Sequence, residues 1–312
     1  MYEILINPMS RSGKGRHAWH EIESELKSRG VKYRAHFSGR KGDIARMAAE
    51  LTKEPCQILV LGGDGTFNEF VQGVQDFDNT EVGFLPLGSG NDFCKGMKYP
   101  KDMDAILDRI LDIDQPMKMD VGVLEYGVSA EDELKKRRFL ISCGSGFDAA
   151  VCHYVDRSKL KVALNKVGLG KLVYLMIAVR EIFTAKRTSV RLTSDGKVWD
   201  LKNYLFAAAM NTRYEGGGFM FGPKADHADG QMDLCLVGEI PPLKVTCVLP
   251  TAFAGKHFIF KNVDRDRAKE TIIEAVDKDQ PFFLHTDGEV MGQHTYARIS
   301  SEDKQLNLLW DM

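Results

Sequence analysis

Six cysteines in 312 residues, with no C-x-x-C and no histidine pair at zinc spacing, leave this chain without a disulfide or zinc framework. They lie scattered at positions 56, 94, 143, 152, 235 and 247, which suits a reduced, cytoplasmic setting. Positive charge is not in excess. The formal net charge of −2 argues against a general nucleic-acid binder, which needs a basic surplus. Long apolar runs are missing too, and the longest, Leu172 to Val179, is far too short to span a bilayer. Met1-Tyr2-Glu3-Ile4-Leu5-Ile6 enters a strand at once, so no leader is expected. There is no internal repeat and no low-complexity segment. What remains, 44% hydrophobic and 28% charged, is an ordinary globular composition. The length fits two domains of roughly 100–200 residues each.

The stretch Leu59-Val60-Leu61-Gly62-Gly63-Asp64-Gly65-Thr66-Phe67-Asn68-Glu69 predicts a buried strand, a glycine turn and the start of a helix. Three glycines let the backbone approach a ligand with no Cβ in the way. Asp64 or Thr66 is placed to cap the helix, whose first N–H groups favour an anion. A phosphate suits that place, but a carboxylate suits it only with a cation between them. The plain alternative is a strand–helix turn with a capping aspartate.

Around this stretch, strands and helices alternate from Ile4 to about Leu111, which implies a parallel sheet covered on both faces. Ligands on such sheets bind at the carboxyl ends of the strands. Three glycine turns fall there: Asn7 to Gly15, Gly62 to Gly65, and Gly88-Ser89-Gly90-Asn91-Asp92-Phe93. Asn91 or Asp92 is expected to cap the helix after the last. Gly13-Lys14-Gly15-Arg16-His17-Ala18 matches a dinucleotide fingerprint, but no acid ends the second strand at Phe37-Ser38 to hold a ribose. No Walker A occurs, since neither Gly13-Lys14 nor Gly170-Lys171 has the flanking residues, and no H-R-D loop with a D-F-G partner occurs either.

After Pro116 the pattern turns to strands joined by turns such as Ser194-Asp195-Gly196 and Asp229-Gly230, predicting a mostly antiparallel domain. Val198 to Met210 and Phe258 to Val263 read as single strands, and Tyr296 to Ser300 with Leu306 to Trp310 as a closing hairpin. Asp226-His227-Ala228-Asp229-Gly230-Gln231 sets two carboxylates three residues apart, near enough for one hard cation, or simply an Asx turn. Asp287-Gly288-Glu289 puts a carboxylate just past a tight turn, where it could take a proton from an alcohol.

Taken as a set and in this order, Asn7-Pro8 with Ser12-Gly13-Lys14-Gly15, Gly62 to Thr66 with Asn68-Glu69, Gly88 to Phe93, and Asp287-Gly288-Glu289 resemble the lipid kinases of diacylglycerol, sphingosine and ceramide, in their compact bacterial form. The resemblance spans essentially the whole chain. It implies a three-layer α/β nucleotide domain (1–119, with 296–312 returning to it) and an antiparallel β-sandwich lipid domain (120–295), with the active site in the cleft between them. It further implies ATP against Asn7, Ser12, Gly13, Lys14, Gly15, Ser38, Gly63, Gly65, Thr66, Asn68, Glu69 and Ser89. Asp64 and Asp120 would serve a Mg2+–phosphate network, and Glu289 would accept the proton of the lipid hydroxyl. Asp226, Asp229 and Gln231 would form a second, structural magnesium site. One departure is visible: the first loop, Asn-Pro-Met-Ser-Arg-Ser-Gly, is two residues longer than the commoner N-P-x-S-G form.

A chain of about 16 CH2 groups costs roughly 13 kcal/mol to bring into water, at about 0.8 each. A lipid acceptor therefore needs an apolar groove or catalysis at the bilayer surface. Leu172, Val173, Leu175, Met176, Val179, Ile182 and Phe183 form a broad apolar face between Gly168 and Ala185. Arg157, Lys159, Lys161, Lys166, Lys171, Lys186 and Arg187 flank it, and core packing is the competing account of that face. Gly216 to Gly222 reads as a lip of the groove or a loose turn. The expectation is an ATP- and Mg2+-dependent lipid kinase, cytoplasmic and peripheral at the inner membrane face, with room for a homodimer. An NAD kinase-like enzyme and a non-catalytic lipid-binding protein of the same fold are the alternatives.

Overall fold

A computed structural model of the chain describes residues 1–13, 15–88, 90–158 and 170–312. Lys14 and Ser89 lie outside the described residues, as do Lys159, Lys161 and Lys166 and the side chains of Ser12, Lys171, Leu172, Val173 and Leu175. The chain divides into two compact units, one of 1–121 with 302–312 and one of 122–301.

In the first unit, β1 (Tyr2–Ile6), β2 (Tyr33–Phe37), β3 (Cys56–Gly62) and β4 (Thr80–Pro86) lie in parallel in the order β2-β1-β3-β4. Ile4 to Ile6 and Ile58 to Leu61 are wholly buried, because helices cover both faces of the sheet. The helix Gly15–Ser28 buries Gly15, Trp19, Ile22 and Leu26, a single stripe at helical spacing. From β1 the chain steps outward to β2, then crosses back over β1 to β3. The order therefore reverses between β1 and β3, and Asn7 and Gly63 leave the sheet on either side of that point.

β5 (Met117–Met119) and β18 (Leu306–Leu308) complete the sheet; β18 is parallel to β4 and antiparallel to β5. The tail continues into Trp310, whose ring stacks on Tyr99 with centroids 3.7 Å apart and whose Nε1 donates to the Met97 carbonyl at 2.8 Å.

The second unit holds two six-stranded antiparallel sheets. Its strands are β6 (Gly122–Gly127), β7 (Lys135–Phe139), β8 (Ser142–Gly146), β9 (Val190–Ser194), β10 (Lys197–Leu201) and β11 (Phe206–Met210), followed by β12 (Met232–Val237), β13 (Val263–Ala268), β14 (Thr271–Ala275), β15 (Phe282–Thr286), β16 (Glu289–His294) and β17 (Tyr296–Ser301). One sheet runs β10-β9-β14-β17-β6-β7 and the other β13-β12-β11-β8-β15-β16. Leu124, Phe139, Leu192, Leu234, Leu284 and Ile299 belong to one core cluster drawn from both sheets. A second cluster joins β11, β12 and the start of β13 to the helices Phe147–Arg157, Gly170–Thr184 and Pro242–Ala252.

Four expectations need correction. Tyr296–Ser301 pairs with β6 and β14, so it belongs to the second unit, and it makes no hairpin with the tail, which joins the first sheet. The units accordingly meet along the chain at 121/122 and 301/302 rather than at 119/120 and 295/296. Residues 198–210 form two strands, because the chain reverses at Asn203, whose φ is +44°. Phe258 to Val263 starts in a turn of 3-10 helix, His257–Ile259, and passes through a bend and a turn before β13 begins at Val263.

Candidate active site

Parallel strands deliver their carboxyl ends to one edge, so Asn7, Ser38, Gly63 and Leu87 all leave the first sheet on the same side. The turns after β3 and β4 touch backbone to backbone. Leu87 N donates to the Gly62 carbonyl at 2.6 Å, and a Cβ on Gly63 would lie 3.4 Å from Gly88 Cα. The approach is tighter seen from Gly88, where a Cβ would lie 3.2 Å from Gly63 Cα. Asn7 Nδ2 donates to Thr66 Oγ1 at 3.0 Å, tying the first turn to the second. Ser38 N donates to the Ile6 carbonyl at 2.9 Å and brings in the end of β2.

The helix Asp64–Gly73 starts one turn earlier than the sequence suggests. Gly63 is its N-cap, in extended conformation with no side-chain cap, so neither Asp64 nor Thr66 plays that part. The Asp64 carboxylate instead reaches across to the third turn, where Oδ2 accepts from Asp92 N at 3.1 Å. Asp92 is itself buried, and Asn91 before it adopts a left-handed φ of +51°. Asp92, expected only as a helix cap, thus stands beside Asp64. Its signal in the sequence was the acid directly after a glycine turn on the same sheet edge. Cys94 is pushed up in pKa by burial first and by the Asp64 charge second.

Phe67 and Phe93, one from each of these helices, meet edge to face at 4.9 Å, and Phe84 of β4 stacks on Phe67 at 4.5 Å. This aromatic core sets the spacing of the two turns. Asn68 is wholly buried, its side chain bonded to Gln72. Glu69 Oε1 accepts from Gly42 N at 2.7 Å and Ile44 N at 3.0 Å, which caps the helix Asp43–Leu51. Asp43 Oδ2 accepts from Gly39 N and Arg40 N, and those bonds hold its carboxyl below the usual range. Together Glu69 and Asp43 fasten the loop after Ser38. Gly13 has a φ of +92°, and Gly15 packs where a Cβ would run into the Asn7 and Pro8 carbonyls. Gly65 is the second residue of the Asp64–Gly73 helix.

Asp120 does not join this group. β5 runs antiparallel to β4 through β18, with Met119 opposite Leu306 and Asn307 opposite Glu81. Asp120 therefore lies at the amino-terminal edge of β4, a strand of seven residues and about 20 Å away from the glycine turns. Buried there, it accepts from Gln305 Nε2 at 2.8 Å, while Lys118 donates to Asn307 Oδ1 at 2.6 Å. The Lys118-x-Asp120 pair grips the tail.

In the second unit, Asp287 and Gly288 have φ of +50° and +82° and close the β15–β16 hairpin, with Thr286 opposite Glu289. Asp287 accepts from the backbone N–H of Leu140, Ile141 and Ser142 at 2.8–3.0 Å, which fixes the turn against β8. Glu289 follows it, partly exposed. The Asp226–Gln231 turn is built on Asx bonds, Asp226 Oδ1 accepting from Ala228 N and Asp229 Oδ1 from Gln231 N. Arg267 bridges Asp229 and Asp233 at 3.0 and 2.9 Å, so a guanidinium neutralises part of this turn. On the helix Gly170–Thr184, Ile182 is buried, whereas Met176, Val179 and Phe183 are exposed on a stripe at helical spacing. Core packing accounts for Ile182 and leaves the other three open to solvent. No helix among the described residues is long and apolar enough to cross a membrane.

A further cluster was not foreseen. His285, wholly buried in β15, places Nε2 3.2 Å from Asp148 Oδ2 and 3.0 Å from Glu215 Oε1. Asp148 is pushed up in pKa, by burial before all else. The three residues are 137 and 70 positions apart along the chain, which is why no motif announced them.

A parallel-sheet unit with backbone cradles at its switch point, followed by an antiparallel two-sheet unit, defines a known class of two-domain kinase. Residues 2–124 match the diacylglycerol kinase catalytic domain, and residues 141–309 the YegS C-terminal NAD kinase beta sandwich-like domain. The chain belongs to the diacylglycerol kinase-like family of lipid kinases. It is 29% identical over 308 residues to YtlR of Bacillus subtilis, covering 96% of both chains. It is 28% identical over 272 residues to a diacylglycerol kinase of Mycobacterium tuberculosis, covering 86% of this chain and 84% of that one. A crystal structure of a diacylglycerol kinase from Bacillus anthracis superposes with a TM-score of 0.70 at 18% identity, over 99% of this chain and 96% of that one, a likeness of fold.

Proposed function

We propose that this chain is an ATP- and Mg2+-dependent kinase that phosphorylates the hydroxyl of diacylglycerol or a related lipid alcohol. The observation that carries the reading is Asp64 beside Asp92 on a cradle made of backbone. Glycine turns and a helix start invite phosphate, and two acids there, Asp64 half-buried and Asp92 buried, call for a cation as well. The donor set fits magnesium, being hard carboxylate oxygen. Bound there, Mg2+ supplies charge neutralisation of the phosphates.

The chain's own residues do the positioning. Gly63 and Gly88 keep side chains out of the cradle, the helix Asp64–Gly73 turns its positive end toward it, and the Asn7–Thr66 bond holds the first turn in place. Glu289 takes the proton as the lipid oxygen bonds to the γ-phosphorus and the bond to ADP breaks. Asp120 has no part in this step. The names of the relatives support a lipid acceptor, and the exposed stripe of Met176, Val179 and Phe183 suits contact with a bilayer.

The test offers γ-labelled ATP with vesicles carrying diacylglycerol, ceramide or sphingosine, and separately with NAD. Label is expected in the lipid extract. Asp64→Asn and Glu289→Gln should each abolish it while melting within a few degrees of the native protein. Label in NAD would favour the nucleotide-kinase reading, and label in neither would favour a binding protein.

A further inference from the structure

The buried cluster in the second unit lies next to the turn that carries Glu289, and the two are connected. Gly288 N donates to His285 Nδ1 at 3.2 Å, while His285 Nε2 faces Asp148 and Glu215. We propose that His285 is a positioning residue that sets the Asp287-Gly288-Glu289 turn, with Asp148 and Glu215 holding its ring.

Three features support this. The β15–β16 ladder shifts register between Leu284 and His285, where Met291 of β16 is the extra residue, and such irregularities re-aim side chains beside functional sites. Opposite His285 in β8 is Gly144, where a Cβ would overlap both Asp148 and His285, so the neighbouring strand is cut away to seat the cluster. Glu215 also anchors the Gly216 to Gly218 run, whose three φ values are all positive, by exchanging backbone bonds with Phe219 at 2.9 Å. The ring is thus clamped between a helix start and a glycine loop, and it presents a fixed acceptor to the turn.

A metal on this trio is the competing account, since its three ligand atoms lie within 4.8 Å of one another and Glu215 Oε2 is buried without a partner. The Gly288 bond weighs against it. An imidazole that gives Nε2 to a metal carries its proton on Nδ1, where Gly288 N–H already points. With Nδ1 accepting, the proton sits on Nε2 and is donated to the carboxylates.

This inference rests on Glu289 being the proton acceptor, so the experiment has one readout that does not involve turnover. In His285→Asn the side-chain amide stands where Nδ1 was, and in His285→Gln it stands where Nε2 was. Hydrogen exchange at Gly288 should quicken roughly tenfold in His285→Gln and stay within about threefold of native in His285→Asn. On the lipid that the labelling assay selects, kcat should fall roughly tenfold in His285→Gln with KM for ATP unchanged, and recover in His285→Asn. Glu215→Gln, which keeps an oxygen for Nε2–H, should leave Gly288 protection within about twofold. Unchanged exchange in His285→Gln, an Asn variant as impaired as the Gln variant, or a stoichiometric metal that is lost in His285→Gln would each overturn the proposal. If native protein phosphorylates nothing, the exchange data still decide the turn, and only the functional reading is lost.

Discussion

In the first unit the candidate chemistry rides on backbone: glycine turns at one sheet edge, pressed together and held by phenylalanines behind them. In the second it rides on side chains, a histidine and two acids drawn from three distant segments and buried behind a hairpin. The first arrangement is local in sequence and tolerates little added volume. The second is non-local and tolerates little change of polarity. Each should fail in its own way, the first through crowding and the second through lost hydrogen bonds.

The largest expected effect concerns the tail. Trp310→Ala should cost about 3–5 kcal/mol, the range for emptying a buried aromatic site. Denaturant unfolding followed in the first unit should register it, and a loss confined to the second unit would contradict the division drawn above. Next come two glycines. In Gly88→Ala the new Cβ meets Asn91 Oδ1 at 2.6 Å and Gly63 Cα at 3.2 Å. Kinase turnover should fall roughly a hundredfold, with stability nearly unchanged, because the turns are forced apart at the cradle. Gly144→Ala should instead destabilise the second unit by about 1–3 kcal/mol through overpacking against Asp148 and His285. If the two swapped phenotypes, the contrast between backbone and side-chain sites would fail. Glu69→Ala should cost about 1 kcal/mol through the lost cap on the helix Asp43–Leu51, seen as a small shift in denaturation midpoint.

The smallest effect is a dependence on pH. His257, nearly fully buried beside Cys235 in the second unit, is held down by burial to about 4 from 6.5. Between those values the unfolded chain binds a proton that the folded chain does not. The stabilisation is complete above pH 6.5 and is lost as pH falls toward 4. Denaturation midpoints from pH 7 to 4.5 should show a shallower decline in His257→Gln than in the native protein, and parallel curves would mean the imidazole titrates normally.

Much of the first unit was legible because its signals are short-range. Apolar runs of β-branched residues, glycines after them and apolar stripes at helical spacing specify strand, turn and helix without knowledge of any distant partner. Asp64 was found that way. Asp120 was misplaced for the opposite reason: nothing near it shows that β5 runs antiparallel, a fact set by the tail nearly 190 residues later. Asp148, Glu215 and His285 each look ordinary alone; the register of β15 against β8 sets His285 opposite Gly144, four residues before Asp148, and no local signal reveals that pairing. The Glu69 cap was hidden likewise, since the helix it serves lies earlier in the chain.

The clasp of Lys118 and Asp120 on Asn307 and Gln305 has a consequence for biosynthesis. A nascent chain holding the first 121 residues has β4 without β18 and Trp310 still unmade, so the first unit cannot close until the ribosome has delivered residues 302–312. Any product cut short near its carboxyl terminus would carry a finished second unit beside an open sheet edge, inviting degradation before it could consume nucleotide.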